Sequence, residues 1–210
     1  MKIKKIELKD YKLFKGKHSF KFSDKVTLIE GPNGSGKTIL FKAIKESLDK
    51  KIPGVSIEIE GDLQLFRKYS NLIFLDEELL LNELNELEFV HFIIDVSESE
   101  IKKGKNILGV PISEGIKNMI EKGLKYLEEF KSPRILSTGD RVIFAYLYFL
   151  KKREETGIAL PLIIDSPFCR IESGRAKDLF MLLKRQKNQL ILFGIDKALD
   201  GMKGDTEYSL

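Results

Sequence analysis

The chain has 210 residues, 42% of them hydrophobic, enough to bury one substantial core with a smaller lobe attached. Its 36 basic and 32 acidic residues leave a net charge of +4, which permits nucleic acid as a partner without demanding it. No apolar run is long enough to span a bilayer, and the opening MKIKKIELKD lacks a signal-peptide core, so no membrane association is expected and the cytoplasm is the expected compartment.

Charge is unevenly spread. Nine lysines fall between Lys2 and Lys25, whereas the stretch from Tyr69 to Ile101 has nine carboxylates and no Lys or Arg. Taken alone, such runs are solvated faces; here they predict one basic and one acidic surface. Abundant Lys, Glu and Ile with only three Gln suggest a thermophilic source. The single cysteine, Cys169, has no Cys or His neighbour at metal-ligand spacing and is expected to be a small buried residue.

Alternation predicts half-buried strands at Lys2 to Leu8 and Ser19 to Phe22, and a more buried strand at Lys25 to Glu30. A glycine-rich turn follows. From Thr38 to Lys51, Leu40, Phe41, Ile44 and Leu48 share one helical face, and Pro53-Gly54 ends it. Ser56 to Glu60 and Leu63 to Phe66, around Gly61-Asp62, read as a hairpin. Helical spacing recurs from Asp76 to Glu88 and again through Ile116, Met119, Ile120, Leu124, Leu127 and Phe130, which predicts a helical lobe over about 76–133. Heptads long enough for coiled-coil arms are absent. A helix at Asp140 to Arg153, a strand at Leu160 to Ile164, a helix at Gly174 to Lys187 and a strand at Gln189 to Phe193 complete the α/β alternation of a parallel sheet.

Residues Gly31-Pro-Asn-Gly-Ser-Gly-Lys-Thr38 match G-x-x-x-x-G-K-[ST] between a strand and a helix, the context in which this motif cradles phosphates. Glycines bring backbone N–H groups close to phosphate oxygens, and the helix N-terminus adds partial positive charge. Asn33, Gly34, Ser35 and Gly36 form the cradle. Lys37 is placed to bridge the β- and γ-phosphates and Thr38 to ligate Mg²⁺. The motif fixes a ligand class, ATP or a related nucleotide, and no more.

Leu136-Ser-Thr-Gly-Asp-Arg141 opens the next long helix, and Ser137 with Asp140 forms an S-x-x-D cap. Pro161-Leu-Ile-Ile-Asp165 is a buried strand ending in an acid. In this order the segments resemble the phosphate loop, LSGGE-R/K signature and Walker B strand of ABC ATPases, in particular the group that includes structural-maintenance-of-chromosomes (SMC) and double-strand-break-repair proteins. The resemblance implies a single P-loop NTPase head over 1–210: α/β, with a mixed sheet, flanking helices and the helical lobe inserted before the signature. It also implies ATP and Mg²⁺ as cofactors, with Asp165 organising the metal beside Thr38. Two copies would face each other, with Ser137 and Gly139 of one reaching the γ-phosphate held by the other.

Several positions depart from that pattern. Ser166 stands where most members carry a glutamate that activates water, and serine is no comparable base near neutral pH. IIDSPFCRIESGR resembles the I-D-T-P-F-G-R-L-D pattern of the DndD type of DNA-modification ATPase, which places Glu172 in the D-loop. Phe74-Leu-Asp-Glu-Glu78 resembles the F-D-G-E of that type, which makes Asp76 the residue sensing Mg²⁺ and the γ-phosphate. The histidine expected after the last strand is absent, and Asp196 is a weak substitute. His18 and His91 read as structural or surface residues.

The resulting expectation is a slow ATPase whose catalytic set is Asp165, Asp76, Ser166 and Glu172, with Thr38, Asp165 and Asp76 at the metal. Its ATP-dependent homodimerisation would control DNA binding or a nuclease or other DNA-processing partner, with the lysine-rich N-terminal strands as the DNA face. Two other readings are a nucleotide-gated protein-interaction module with little hydrolysis and a transporter subunit. LSTGDR in place of LSGGQ, the missing Asp-Glu pair and the missing histidine disfavour the last.

Overall fold

In the computed structural model, which describes residues 1–82, 137–186, 188–194 and 201–210 together with Asn118, Glu121, Lys122 and Lys125, the lysine-rich start forms β1 (Lys2–Tyr11) and β2 (Phe14–Lys21). Ile3, Ile6 and Leu8 are fully buried along β1, with a register shift between Ile3 and Lys5 where β1 pairs with β4 (Val55–Glu60). These three strands make an antiparallel sheet in the order β2-β1-β4. The strand expected at Ser19 to Phe22 therefore starts earlier, at Phe14.

The second sheet is entirely parallel. Its strands are β3 (Val26–Glu30), β5 (Phe74–Leu75), β6 (Leu162–Asp165), β7 (Leu190–Gly194) and β8 (Thr206–Ser209), in the order β5-β6-β7-β3-β8. The mixture of strand directions expected from sequence is thus divided between two sheets. Helix α1 (Lys37–Asp49) buries Leu40, Phe41, Ala43, Ile44 and Leu48, the face its spacing predicted. Phe41 meets Phe74 and Phe193 edge-on, with ring centroids 5.8 and 5.9 Å apart. Such aromatic pairs each contribute roughly 0.5–1.5 kcal/mol beyond the area they bury.

The expected hairpin does not form. β4 pairs with β1, and Leu63 to Phe66 lies in α2 (Leu63–Lys68), followed by α3 (Ser70–Ile73). Asp62 decides this. Its carboxylate accepts from the Gln64 amide at 2.8 Å, an N-cap that satisfies an otherwise orphaned helix donor. Arg67 then donates from Nε to the Leu48 carbonyl at 2.8 Å and from Nη2 to that of Asp49 at 3.1 Å, which covers the last carbonyls of α1.

The chain forms two compact units. The first comprises Met1–Asp76, Ala159–Pro167 and Lys187–Leu210, and so holds both sheets; the second comprises Glu77–Ile158 and Phe168–Gln186. In the second lie α4 (Glu77–Asn82), α5 (Thr138–Glu155) and α6 (Ser173–Arg185). Most of the segment expected as the helical lobe lies outside the described residues. The four described positions near the expected second lobe helix, Asn118, Glu121, Lys122 and Lys125, are helical and exposed, the spacing of one polar face.

Gln189 joins the two sheets of the first unit. It is 2% exposed, its Oε1 accepts from Ile3 N at 2.8 Å, and its Nε2 donates to the carbonyls of Ile3 and Ser23 at 2.8 Å each. Removing the amide would take a partner from two buried backbone groups of Ile3 and from the half-buried Ser23 carbonyl, and a buried group left unsatisfied costs roughly 1–3 kcal/mol. Gln189→Leu is expected to lower stability by about 3 kcal/mol or more in urea denaturation, whereas substitution of the exposed Lys68 should stay within about 0.5 kcal/mol.

Candidate nucleotide site

β3 is buried along Val26, Thr27, Leu28 and Ile29, and it delivers the loop Gly31 to Gly36 to the first residue of α1. Gly36 caps that helix at φ 107, a conformation that L-residues rarely adopt. A Cβ there would also stand 3.1 Å from the Phe14 ring. The cap supplies no side-chain hydrogen bond, so the first-turn amides remain for an anion. Lys37 is 8% exposed. Its Nζ donates to the carbonyls of Gly31 at 2.6 Å and Pro32 at 2.7 Å and lies 3.5 Å from Ser35 Oγ. The loop's own oxygens thus fix the cation at its centre.

All five strands of the parallel sheet point the same way, which gathers the residues that follow their carboxyl ends along one edge, where ligands of open α/β sheets bind. Asp165 is the last residue of β6 and is 7% exposed. Thr38 Oγ1 donates to its Oδ2 at 2.8 Å. Its Oδ1 is buried with no hydrogen-bond partner. Burial pushes the Asp165 carboxyl above its ordinary pKa; the Thr38 hydrogen bond opposes this, the Asp76 charge adds to it, and Lys37 and Lys42 oppose it. Leu75 pairs with Ile164 across β5 and β6, so Asp76 and Asp165 leave adjacent strand ends together.

A crevice of about 200 Å³ opens here. Asn33, Gly34, Gly36, Lys37, Thr38, Asp165 and Ser166 line it together with Leu13 and Ile39, whereas Ser35 of the loop is not in its lining. Leu13 is 60% exposed in the turn between β1 and β2. Its only sequence signal is an apolar residue among lysines. Ser166 sits at φ 55 while its N–H donates to the Phe193 carbonyl at 2.8 Å, so the chain turns away from β6 directly after Asp165.

In the second unit, Ser137 caps α5. Its Oγ accepts from the Asp140 amide at 3.1 Å and donates to Asp140 Oδ2 at 2.7 Å, and Arg175 Nη1 of α6 donates to Asp140 Oδ1 at 2.6 Å. Gly139 has no room for a side chain, since a Cβ would stand 2.7 Å from the Arg170 carbonyl. Arg170, at φ 63, donates to Glu77 Oε1 at 2.8 Å. Glu172 occupies the N-cap position of α6 without a side-chain cap bond. The start of α5 therefore packs on the segment before α6, and glycine is what permits it.

The site residues thus divide between the two units: the loop, Asp76, Asp165 and Ser166 in the first, and Ser137, Gly139 and Glu172 in the second. Leu136, Asp196 and His91 lie outside the described residues. His18 bonds Lys15 O at 2.8 Å and packs edge-on against Phe14, a structural role. Cys169 is half-buried, not fully buried, in the turn after β6. No described helix is long and apolar enough to cross a membrane.

Comparison with known proteins bears on the fold. A family model described as an AAA domain matches residues 5–201. No curated protein is a match. Among similar solved structures, a nucleotide-free ATP-binding cassette from an ABC transporter shares 22% identity at a TM-score of 0.54, over 100% of this chain and 88% of that one. The SMC head domain from Thermotoga maritima shares 18% identity at a TM-score of 0.53, over 100% of this chain and 94% of that one. Identities this low speak to fold alone, and the shared fold is the ABC-type P-loop NTPase. Because the family model spans nearly the whole chain and takes in the loop, α5 and β6, the chain belongs to the AAA domain family.

Proposed function

We propose that the chain is an SMC-like ATPase head that binds ATP with Mg²⁺ at the Lys37 loop, closes into a homodimer around it and hydrolyses it slowly. The observation that carries this reading is the pairing of Thr38 with Asp165, which leaves one buried carboxylate oxygen without a partner. A buried, unpartnered carboxylate oxygen beside a hydroxyl and a lysine suits a hard divalent cation. Among the described residues no three His, Cys, Asp or Glu side chains form a metal cluster, so most remaining ligands would be phosphate and water, as is usual for Mg²⁺. Thr38 and Asp165 would hold the ion, with Asp76 at its outer side. The ion would neutralise charge on the phosphates.

The crevice itself supports a composite site. About 200 Å³ is below the roughly 300–1,000 Å³ of pockets that enclose a ligand, so this part of the chain covers only a portion of a nucleotide. The capped start of α5, with Ser137 and Gly139, is the surface a second copy would bring to the γ-phosphate. ATP binding and dimer closure are then linked, and hydrolysis releases the halves.

Ser166 together with the IIDSPFCRIESGR segment favours the DNA-maintenance branch, RecF-, RecN- or DndD-like, over transporters. Several N-terminal lysines are already paired: Lys2 and Lys4 with Asp24 at 2.8 and 2.7 Å, Lys4 also with Glu60 at 2.8 Å, and Lys5 with Glu7 at 2.6 Å. This leaves the exposed Lys9, Lys12, Lys15, Lys21 and Lys25 as the N-terminal lysines without an ion pair among the described residues, and so as the candidate DNA face. The absence of a carboxylate at Ser166 also favours a second reading, a nucleotide-gated module that controls a partner, such as a nuclease, with little turnover.

Two measurements test the proposal. In sedimentation velocity with Mg²⁺ and a non-hydrolysable ATP analogue, the wild type should sediment as a dimer, and Lys37→Ala and Ser137→Arg as monomers; a wild type that stays monomeric overturns it. In multi-turnover phosphate release, the wild type should exceed Lys37→Ala by a small margin. Ser166→Glu should raise turnover toward the ~10²–10⁴-fold that a general base supplies. A wild-type rate equal to that of Lys37→Ala would leave the non-hydrolysing module.

A further inference from the structure

A second hollow, of about 520 Å³, lies on the antiparallel sheet and shares no lining residue with the phosphate crevice. Its construction is specific. β1 is irregular between Lys9 and Tyr11, with Asp10 in the left-handed region at φ 50, and Asp10 Oδ1 accepts from Gly16 N at 2.8 Å, which ties down the β1–β2 turn. Lys9 N donates to Gly54 O at 2.7 Å. A Cβ on Gly54 would collide with the Lys9 carbonyl, so glycine alone lets the segment before β4 close onto β1.

The walls combine two chemistries. Ile52, Pro53 and Val55 supply an aliphatic surface, and the exposed Lys9, Lys17 and Lys51 supply the charge. Lys9 and Lys51 have no ion-pair partner among the described residues, whereas Glu7, which also lines the hollow, is held by Lys5 at 2.6 Å and by Lys17 at 3.8 Å. Asp10, which also lines the hollow, accepts only the Gly16 amide, so the unmatched charge is two cations against one carboxylate, a positive balance. A single nucleic-acid strand fits poorly: among the described residues no aromatic side chain lines the groove for base stacking, and the aliphatic wall of Ile52, Pro53 and Val55 offers phosphates nothing.

We propose that this groove docks a peptide segment of a partner protein in which an apolar anchor is flanked by Asp or Glu. The anchor fills the aliphatic wall, where interface energy concentrates, and the flanking carboxylates pair with Lys9 and Lys51, which fixes register and speeds encounter. The inference does not rest on the nucleotide reading, because the two hollows are separate.

The test is selection of a random-peptide phage library on the immobilised full chain, followed by fluorescence anisotropy with the enriched peptides. Enrichment of acidic peptides with an apolar anchor is expected. Lys9→Glu/Lys51→Glu should weaken them by about tenfold or more while its melting temperature and circular dichroism match the wild type; Lys51→Glu alone serves if the double variant is unstable. Failure to enrich any peptide overturns the proposal, as does equal binding of the enriched peptides to the variants. A fluorescein-labelled DNA duplex that binds the wild type and is lost in the same variants, with no peptide selected, would assign the groove to nucleic acid and also overturn it.

Discussion

The hydrogen bond from Thr38 to Asp165 is the constraint on which the site depends. It joins residues 127 positions apart at 2.8 Å, one at the start of α1 and one at the end of β6. It holds the phosphate loop against the carboxyl edge of the sheet and points a buried carboxylate at the same crevice. The bond leaves Asp165 half-satisfied, with one oxygen unpartnered. An unpartnered buried carboxylate oxygen calls for a water, an ion or a functional partner, and burial pushes that carboxyl upward in pKa.

The rest of the first unit keeps these two residues in register. β7 lies between β3 and β6 and pairs with both over four or more residues, so the strand carrying the loop and the strand carrying Asp165 cannot slide independently. The Phe41, Phe74 and Phe193 rings lock α1 to the sheet beneath it. Gln189 fastens the antiparallel sheet to the start of β7. Packing, buried hydrogen bonds and strand register thus converge on one requirement, a fixed distance between Lys37, Thr38 and Asp165.

What could be read from sequence was local. The G-x-x-x-x-G-K-T loop, the buried face of α1 and the Ser137–Asp140 cap each depend on residues within a few positions of one another, and the structure contains all three. The Leu63 to Phe66 strand failed because LQLF alternates well enough for a strand, while the deciding interactions were the Asp62 cap and the reach of Arg67 back to Leu48 and Asp49. Division of the strands into two sheets depends on distant pairings with no local code. β5 has two residues and β8 four, too few for a periodic signal, yet β5 is what sets Asp76 beside Asp165. Leu13 at the crevice escaped notice for the same reason: only the folded turn brings it to the loop.

Isothermal titration of ATP, with and without Mg²⁺, into wild type, Thr38→Val, Asp165→Asn and the double variant tests the central pairing most directly. Wild type should bind ATP more tightly with Mg²⁺ than without, each single substitution should abolish that gain, and the double variant should lose little more than either single one, the non-additivity of groups acting as a unit. Wild-type affinity indifferent to Mg²⁺, or an undiminished Mg²⁺ effect in Asp165→Asn, would contradict the account.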